Sequence, residues 1–460
     1  MEFVSDLHLH SKYSRAVSQQ MILPEMAKWA AKKGINLLTT GDWTHPLWLR
    51  SIKGELIETG EGIYKVKSQN AKVKNEMRFI LTTEIASIYK QGDKLRRIHN
   101  LVFAPDIETV EKINKELLSR ACNLSSDGRP IIGLSSKALL EMLLNIDKKI
   151  ILIPCHAWTP HFGIYGSASG FDSIKESFEN LSNYIYGVET GISSDPWMNW
   201  QVPELNSRAI LSFSDAHSLP KMGREATVFK IDKTLENLSY MDIGRAIAGP
   251  MKKNLNVTSA IQRSVPSSIA YTIEFYPEEG KYHYTGHRNC KVIKSPQQIK
   301  ESGNICPKCS RKLTEGVMYR VQQLAGNIDF RPYDSELDAN GVNWIKDPRK
   351  IHPPFVKLVP LNEIVAESIG SPVGSEKVKI KFDELCLEFG SEIKILLEIS
   401  ISDIASKFGG KIAEGISKVR KGDIVIDPGY DGEYGKVKIW SEEKPIFQKQ
   451  NIEAQLGLKF

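Results

Sequence analysis

Histidines and carboxylates occur in short clusters along the first half of the chain. Seven of the ten histidines precede residue 218. His8 and His10 lie two apart in an extended segment, so their side chains point to the same side and can chelate one ion. Imidazole nitrogen together with carboxylate oxygen is a ligand set suited to zinc, manganese or iron. A lone histidine is more often structural, but a His-x-His pair with further polar clusters favours a metal centre.

These clusters follow directly on short apolar runs that are typical of strands, such as 35–40, 78–83, 149–154 and 209–214. Amphipathic helical segments lie between the runs, and this alternation predicts a parallel α/β sheet, either open or closed into a barrel. Chemistry in such folds gathers at the carboxyl ends of the strands. Positions scattered in sequence are therefore expected to converge. They are Asp6, His8, His10, Asp42, His45, Glu84, His156, Asp215 and His217.

The order of these clusters resembles the successive motifs of the polymerase and histidinol phosphatase (PHP) superfamily. The motifs are Asp6-Leu7-His8-Leu9-His10-Ser11, Gly41-Asp42-Trp43-Thr44-His45, Thr83-Glu84, His99-Asn100, Pro154-Cys155-His156 and Ser214-Asp215-Ala216-His217. The resemblance covers roughly the first half of the chain. It implies an α/β fold with a distorted PHP-type (β/α) barrel, up to three metal ions, and hydrolysis of a phosphate ester by metal-activated water.

The resemblance also implies which residues bind the ions. Its ligands are His8, His10 and Asp215 on one ion, Glu84, His99 and His156 on a second that Glu84 bridges to the first, and His217 with Asp42 or His45 on a third. The superfamily's second motif usually reads Thr-Asp-His, whereas here Trp43 follows Asp42, so both Asp42 and His45 stay candidates. Asp215, Glu84 and His217 are the residues that we expect to act in catalysis. No nucleophile elbow or P-loop is present to offer another route.

A second metal motif lies further along the chain. His287-x-x-Cys290 is followed after fifteen residues by Cys306-x-x-Cys309, a spacing typical of a zinc knuckle or ribbon. His283 is an alternative to His287 as the fourth ligand. A closed site with four ligands has no open position for catalysis, so this zinc is expected to be structural and its module a binding platform.

The PHP motifs, the zinc motif and the stretch from Pro428 to Val437 together resemble the endonuclease Q family of archaeal and bacterial DNA repair enzymes. That family resemblance implies cleavage of the phosphodiester on the 5′ side of a deaminated base (hypoxanthine, uracil or xanthine) or of an abasic site. One departure is His287, since many relatives supply cysteine there. Residues 281–320 carry nine Lys or Arg against two Glu, which suits a polyanionic partner; an ordinary solvated surface is the alternative.

A lesion enzyme needs a pocket for an extruded base, and loops with aromatics among glycines allow close approach and stacking. The loop 158–172 follows His156 and is our choice, ahead of 191–200; the alternative is an ordinary crossover with aromatic packing. Its candidate substrate contacts are Trp158, His161, Phe162, Tyr165, Gly166, Ser167 and Phe171.

Composition and punctuation predict three units: the metal-dependent domain at 1–235, a linker and zinc module at 236–325, and a smaller α+β C-terminal region at 326–460 that serves as a nucleic-acid platform. The linker includes the Ser- and Pro-rich 264–268, followed by a hairpin-like piece at 271–284, and residues 421–440 read as a β-hairpin. No window of 18 apolar residues appears, so we expect a cytoplasmic protein without membrane contact.

Two other functions fit these sequence features less well. A small-molecule phosphatase of the histidinol phosphatase kind would not need the basic zinc module. A nucleic-acid-binding protein with a degenerate barrel is disfavoured because all expected ligand types are present. The tail Gln455-Leu456-Gly457-Leu458-Lys459-Phe460 weakly resembles a sliding-clamp-binding motif, and a frayed terminus is the simpler interpretation.

Overall fold

The computed structural model describes residues 1–67, 77–249, 267–326 and 329–441. The clamp-like tail and residues 264–266 of the predicted linker lie outside this part of the chain. None of the helices in these ranges has the length and apolar character needed to cross a membrane.

The strands are β1 Glu2–Asp6, β2 Leu37–Thr39, β3 Leu56–Gly60, β4 Ile63–Val66, β5 Arg78–Gln91, β6 Lys94–Ala104, β7 Ile131–Ile132, β8 Ile151–Pro154, β9 Gly187–Glu189, β10 Ala209–Leu211, β11 Ala226–Ile231, β12 Ser267–Glu274, β13 Thr285–His287, β14 Val292–Lys294, β15 Asp334–Leu337, β16 Asn343–Lys346, β17 Phe355–Lys357, β18 Val425–Asp427 and β19 Lys436–Lys438. The helices are α1 Leu23–Lys33, α2 Pro46–Glu55, α3 Ile107–Ser119, α4 Ser136–Ile146, α5 Ile174–Phe178, α6 Pro196–Trp200, α7 Tyr240–Ala248, α8 Pro296–Ser302, α9 Val317–Leu324, α10 Leu361–Ile369, α11 Glu376–Phe389, α12 Glu392–Leu397, α13 Ile401–Phe408 and α14 Gly410–Lys421.

The sheet of the N-terminal half is mixed rather than parallel throughout. β1 pairs with β2 and β2 with β5 in parallel, as the sequence predicts. β1 also pairs with β11, β5 with β6 and β6 with β8, all antiparallel. The prediction of an all-parallel sheet is therefore wrong. One reason is that β5 and β6 form a long antiparallel hairpin. Its two-residue turn is Gly92-Asp93, with Gly92 at φ 59°. A Gly-Asp pair between two apolar runs is a recognisable hairpin signal.

One face of each of eight strands, β1, β2, β4, β5, β6, β8, β10 and β11, contributes to a single inner core. Its strand residues include Phe3, Leu37, Ile80, Leu101, Phe103, Ile153, Leu211 and Phe229. Because the opposite faces of most of these strands pack on a second large core, their side chains are apolar on both faces, as in a covered α/β sheet. Shared inner packing is what a barrel interior requires. β9 and β10 form a separate parallel pair in the described residues, so closure of the barrel stays a prediction.

The main sheet continues into the C-terminal half through β12, which pairs antiparallel with β11 and parallel with β17. The predicted hairpin over 271–284 is therefore wrong, because 267–274 is one strand between two partners. The predicted hairpin within 421–440 is confirmed, with Val425 opposite Lys438. Helices α10 to α14 pack together and against the C-terminal part of the main sheet, forming a third hydrophobic core. Their positions agree with the helical sequence patterns of residues 350–420.

Two buried glutamates, Glu225 and Glu274, lie close to each other at the pairing of β11 with β12, and the nearby cations Arg224 and Lys357 offset their burial only in part. Glu274 accepts hydrogen bonds from Ser212 and Thr272, and both oxygens of Glu225 are without a hydrogen-bond partner. Burial, only partly offset by the two hydroxyls, raises the pKa of Glu274 from 4.5 to about 8. Burial and the neighbouring Glu274 raise the pKa of Glu225 as well. Glu274 is therefore mostly protonated in the folded protein near neutral pH, and the surroundings of Glu225 favour its protonated form as well.

We expect the folded state to lose stability as pH rises from 5 to 8. Between the unfolded and folded pKa values the folded state holds more protons, and each such group contributes a fall of about 1.4 kcal/mol per pH unit. Glu274→Gln mimics the protonated form, so its Tm advantage over wild type should widen with pH in thermal unfolding. The exposed Glu141→Gln is the control. A constant difference across this range contradicts the assignment.

Candidate metal centre

Glu84 lies at the centre of a buried cluster of imidazoles. Its Oε1 is 2.5 Å from His99 Nδ1 and 3.1 Å from His156 Nε2. Its Oε2 is 3.2 Å from His10 Nε2 and 3.7 Å from His8 Nε2. The two oxygens thus face two different pairs of histidines. This is the arrangement expected of a carboxylate that bridges two ions.

Asp215 and His217 complete the cluster on its open side. Asp215 Oδ1 is 3.1 Å from His10 Nε2 and 3.7 Å from His8 Nε2. Potential ligand atoms of His10, Asp215 and His217 all lie within 4.8 Å of one another. The side chains of Asp215 and His217 are 28% and 32% exposed, whereas Glu84 is fully buried. Solvent and substrate can therefore reach the cluster from this side.

His8 and His10 follow β1, and each ring is oriented by a carboxylate at the nitrogen that faces away from the cluster. His8 Nδ1 lies 2.8 Å from Glu189 Oε1, and Glu189 also accepts the His156 backbone N–H at 2.7 Å. His10 Nδ1 lies 3.0 Å from Asp42 Oδ1. These contacts leave Nε2 of both rings directed at the cluster. Carboxylates in this position fix the tautomer and orientation of a metal-binding imidazole.

Three residues of the cluster region have left-handed backbone conformations. Asp42, His156 and Asp215 have φ angles of 46°, 29° and 47°. Such angles are uncommon for residues other than glycine and concentrate at functional sites. Gly191 packs so closely on His156 that an added Cβ would lie 2.4 Å from the His156 Cβ. The backbone therefore holds these side chains in a specific orientation.

The protonation states suit metal binding. Burial opposes ionisation of Glu84, but His99 and Arg129 outweigh burial and hold its pKa well below the usual value. Burial alone is the main cause of the lowered pKa of His99 and His217. Ionised carboxylates and neutral imidazoles are the forms that bind metals. In His8 burial is outweighed by Glu189, which raises the pKa, so metal binding there would displace a proton.

The donor set fits divalent ions. Buried atoms without a hydrogen-bond partner converge here, including His8 Nε2, His10 Nε2 and Asp215 Oδ1. Buried polar atoms without partners are rare, and a bound ion accounts for them. Nitrogen and carboxylate ligands at these positions suit zinc, manganese or a similar ion.

Two predicted ligands lie away from the centre. Asp42 contacts the far nitrogen of His10 and accepts hydrogen bonds from Ser11 and Ser14. His45 stacks on Tyr13, with ring centroids 4.5 Å apart, and its Nε2 lies 3.2 Å from the Ser125 carbonyl oxygen. The structure does not bring His45 together with His217.

Two further residues of the site were not predicted. Glu189 ends β9, so the rule that ligands follow apolar runs could have found it in Gly187-Val188-Glu189. Arg129 lies in a loop without strand signals, and its Nη1 is 3.2 Å from Glu84 Oε2. An added Cβ on Gly128 would lie 2.4 Å from Asp42 Oδ2, so glycine is required for this loop to approach the cluster.

The loop 158–172 is mostly packed inward. Trp158, Tyr165 and Phe171 are at most 2% exposed, and the Arg96 guanidinium covers the Phe171 ring at 3.9 Å. Gly166 is also buried, against the Thr159 and Pro160 carbonyls. His161 and Ser167 are exposed. Phe162 is half-buried and lies on the candidate ligand His99, with ring centroids 4.5 Å apart.

The second metal motif forms one compact site. Ligand atoms of His287, Cys290, Cys306 and Cys309 lie within 4.8 Å of one another. Hydrogen bonds from the Arg311 backbone and side chain lower the pKa of Cys309 to about 6, which favours the thiolate. His283 is buried elsewhere, without hydrogen-bond partners on its ring. The four-residue set with His287 therefore fits a closed tetrahedral ion.

Removing the carboxylate behind His8 tests the orientation argument. We expect Glu189→Gln to weaken metal binding about 10- to 100-fold, because an amide neither fixes the His8 tautomer in the same way nor raises its basicity. The measurement is the metal dissociation constant from competition with a chromogenic chelator. Glu141→Gln, on an exposed helical face, is the control. Unchanged metal affinity in Glu189→Gln contradicts the role.

Comparison with known proteins finds relatives that match up to 74% of this chain. Residues 360–423 match the family model described as the MJ0043 C-terminal domain. The chain is 30% identical over 307 residues to MJ0043 of Methanocaldococcus jannaschii, matching 66% of this chain but only 34% of that longer protein. It is 28% identical over 347 residues to YqxK of Bacillus subtilis, covering 74% of each.

Solved structures match over a larger extent. The lesion-specific endonuclease PfuEndoQ of Pyrococcus furiosus aligns with a TM-score of 0.75 and 30% identity, covering 98% of this chain and 99% of that one. A complex of endonuclease Q with a 27-mer duplex bearing an abasic lesion at the active site gives the same TM-score and identity over 96% and 98%. With a shared fold and 30% identity over whole chains, this protein belongs to the endonuclease Q family.

Proposed function

We propose that this protein is a DNA repair endonuclease that hydrolyses the phosphodiester on the 5′ side of a deaminated base or an abasic site. The observation that carries the proposal is the Glu84-centred cluster, buried on one side and open at Asp215 and His217. The solved relatives act on lesions or hold lesion DNA, which supports the substrate class.

Residues of the cluster would hold two or three divalent ions, of zinc, manganese or magnesium. The proposed ligands are His8, His10, Glu84, His99, His156, Asp215 and His217. When bound, such ions lower the pKa of a water and neutralise charge on the leaving oxygen. Asp42 and Glu189 orient two of the imidazoles. Cys290, Cys306, Cys309 and His287 would hold one structural zinc.

The chain's own side chains then position the substrate. Asp215 is ionised and faces the opening, so it can accept a hydrogen bond from the attacking water. Arg129 presents a guanidinium beside Glu84, where it can bind a phosphate oxygen. His161, Phe162 and Ser167 are the residues of the 158–172 loop that remain candidates for DNA contact. Unit 1–235 would supply the chemistry and units 236–325 and 326–460 the DNA platform.

Nick mapping tests this proposal. The metal-loaded protein is incubated with end-labelled duplexes that carry one inosine, uracil or abasic site, beside an undamaged duplex. We expect a nick immediately 5′ of the lesion that is lost in Asp215→Ala. Intact lesion DNA together with release of phosphate from small monoesters would instead indicate the phosphatase function.

A further inference from the structure

The turn between β18 and β19, residues 428–435, lies across the zinc module, and we name it the strap loop. Gly429 and Gly435 donate backbone hydrogen bonds to the carbonyls of Glu278 and Glu279 at 2.8 and 3.1 Å. The Asp431 carboxylate accepts the Arg288 backbone N–H at 2.7 Å and the Thr314 hydroxyl at 2.5 Å. The strap loop is therefore held firmly although it lies at the surface.

Tyr434 projects from this fixed loop into solvent. Tyr434 is 68% exposed, and the Lys281 ammonium lies 4.5 Å from the centroid of its ring. The Arg288 guanidinium lies against the same loop, with Nη1 3.3 Å from the position of a Cβ on Gly432. A single exposed aromatic is ordinary. An exposed aromatic ring on a firmly held loop, with exposed cations against the same loop, is the combination that binds bases and phosphates.

Close packing connects the strap loop to the metal centre. An added Cβ on Gly429 would lie 2.4 Å from the Gly280 carbonyl oxygen, and one on Gly280 would lie 3.5 Å from the Ile192 carbonyl oxygen. The neighbouring Gly191 packs on the candidate ligand His156. Two loop layers thus separate the strap loop from the cluster. DNA bound at the cluster would extend over the surface that carries the strap loop.

We propose that Tyr434, Lys281 and Arg288 form a DNA contact in which the Tyr434 ring stacks on a base exposed where the duplex opens beside the lesion. Lys281 and Arg288 bind the flanking phosphates. Glu433, exposed in the same loop, opposes this contact by its charge. The inference rests on the proposed function for its substrate, but it concerns binding and not the chemical step.

Binding of lesion DNA by the full-length chain tests the contact. Every protein carries Asp215→Asn so that the DNA stays intact, and affinity for a fluorescent abasic-site duplex is read by anisotropy. Loss of a base–aromatic stack weakens binding about 5- to 140-fold, and we expect this of Tyr434→Ala. Tyr434→Phe keeps the ring, so its DNA affinity should lie within about twofold of that of the protein with Asp215→Asn alone. Tyr184→Ala, a 38% exposed tyrosine elsewhere, is the matched control.

Salt dependence provides the second readout. Lys281→Ala and Arg288→Ala should each reduce the slope of log K against log salt by about 0.7 to 0.9, the value for one lost phosphate contact. Glu433→Gln should tighten binding. Equal affinity of Tyr434→Ala and Tyr184→Ala, or unchanged salt slopes in proteins that retain their zinc, overturns the inference.

The two proposals fail in different ways. If the wild-type chain binds DNA through Tyr434 but does not nick it, the proposed function fails and the contact stands. If it nicks at lesions while Tyr434→Ala binds as the reference does, the contact alone is wrong.

Discussion

Glu84→Gln is expected to reduce lesion-dependent nicking by about a thousandfold or more. The glutamine has the same shape, but it removes the negative charge that four imidazoles and Arg129 share. The proposed bridging ligand would be lost, and with it several kcal/mol of charge stabilisation that bound ions would supply in the transition state. Single-turnover nicking of an abasic-site duplex measures the effect.

Two controls separate chemistry from folding. Glu141→Gln should nick at the wild-type rate, because this side chain is exposed on α4. Metal analysis of Glu84→Gln should show loss of ions from the cluster and retention of the structural zinc. Nicking by Glu84→Gln within tenfold of wild type would mean that the cluster is not the reaction centre.

Cys306→Ser is expected to abolish binding of the proposed structural zinc and to unfold the module around it. Cys306 is 1% exposed and packs with Val292 and Leu313 in a small core that includes little else. Structural zinc contributes roughly 10–16 kcal/mol in small zinc domains, far more than such a core can replace. Because the strap loop is bonded to this module, DNA affinity should fall as well.

Zinc content and limited proteolysis measure this outcome. The variant should lose one equivalent of zinc and become cleavable within 281–320, while hydrolysis of a small phosphodiester at the Glu84 cluster continues. Cys122→Ser, a cysteine outside both metal sites, should change neither readout. A Cys306→Ser protein that keeps full zinc content and DNA affinity would exclude this role for the module.

Much of the site was predictable because most of its candidate ligands follow apolar runs. The backbone brings these positions together at one end of the sheet, so the rule placed His8, His10, Glu84, His156 and Asp215 in one cluster without knowledge of the strand order. The rule holds because the strands β1, β2, β5 and β8 all run in one direction, with β6 antiparallel to both β5 and β8. The long β5–β6 hairpin therefore changed the topology and left the convergence intact.

The distinction between a ligand and its supporting carboxylate was not predictable. Asp42 follows a strand just as Asp215 does, but its oxygen meets the far nitrogen of His10. Which ring nitrogen a carboxylate reaches depends on backbone angles and side-chain rotamers, which residue spacing does not determine. Arg129 was missed for a related reason, since its loop reaches the site only through packing of Gly128 on Asp42.

The amino-acid composition of the loop 158–172 does not determine whether its aromatic side chains line a pocket or are buried. Aromatics among glycines serve equally for a base pocket and for tight inward packing. In the structure an added Cβ on Gly163, Gly166 or Gly170 would lie 2.4 Å from backbone atoms. These glycines therefore allow Trp158 and Tyr165 to be buried, and only part of the loop remains available to DNA.

Metal removal and return is the most direct test of the central claim that the Glu84 cluster is a metal centre that cleaves DNA at lesions. Protein stripped with a chelator is titrated with manganese or zinc, and bound metal and nicking of an abasic-site duplex are measured in the same samples. We predict no nicking in the stripped protein and recovery in step with filling of the cluster. Nicking at full rate by protein with an empty cluster would contradict the account.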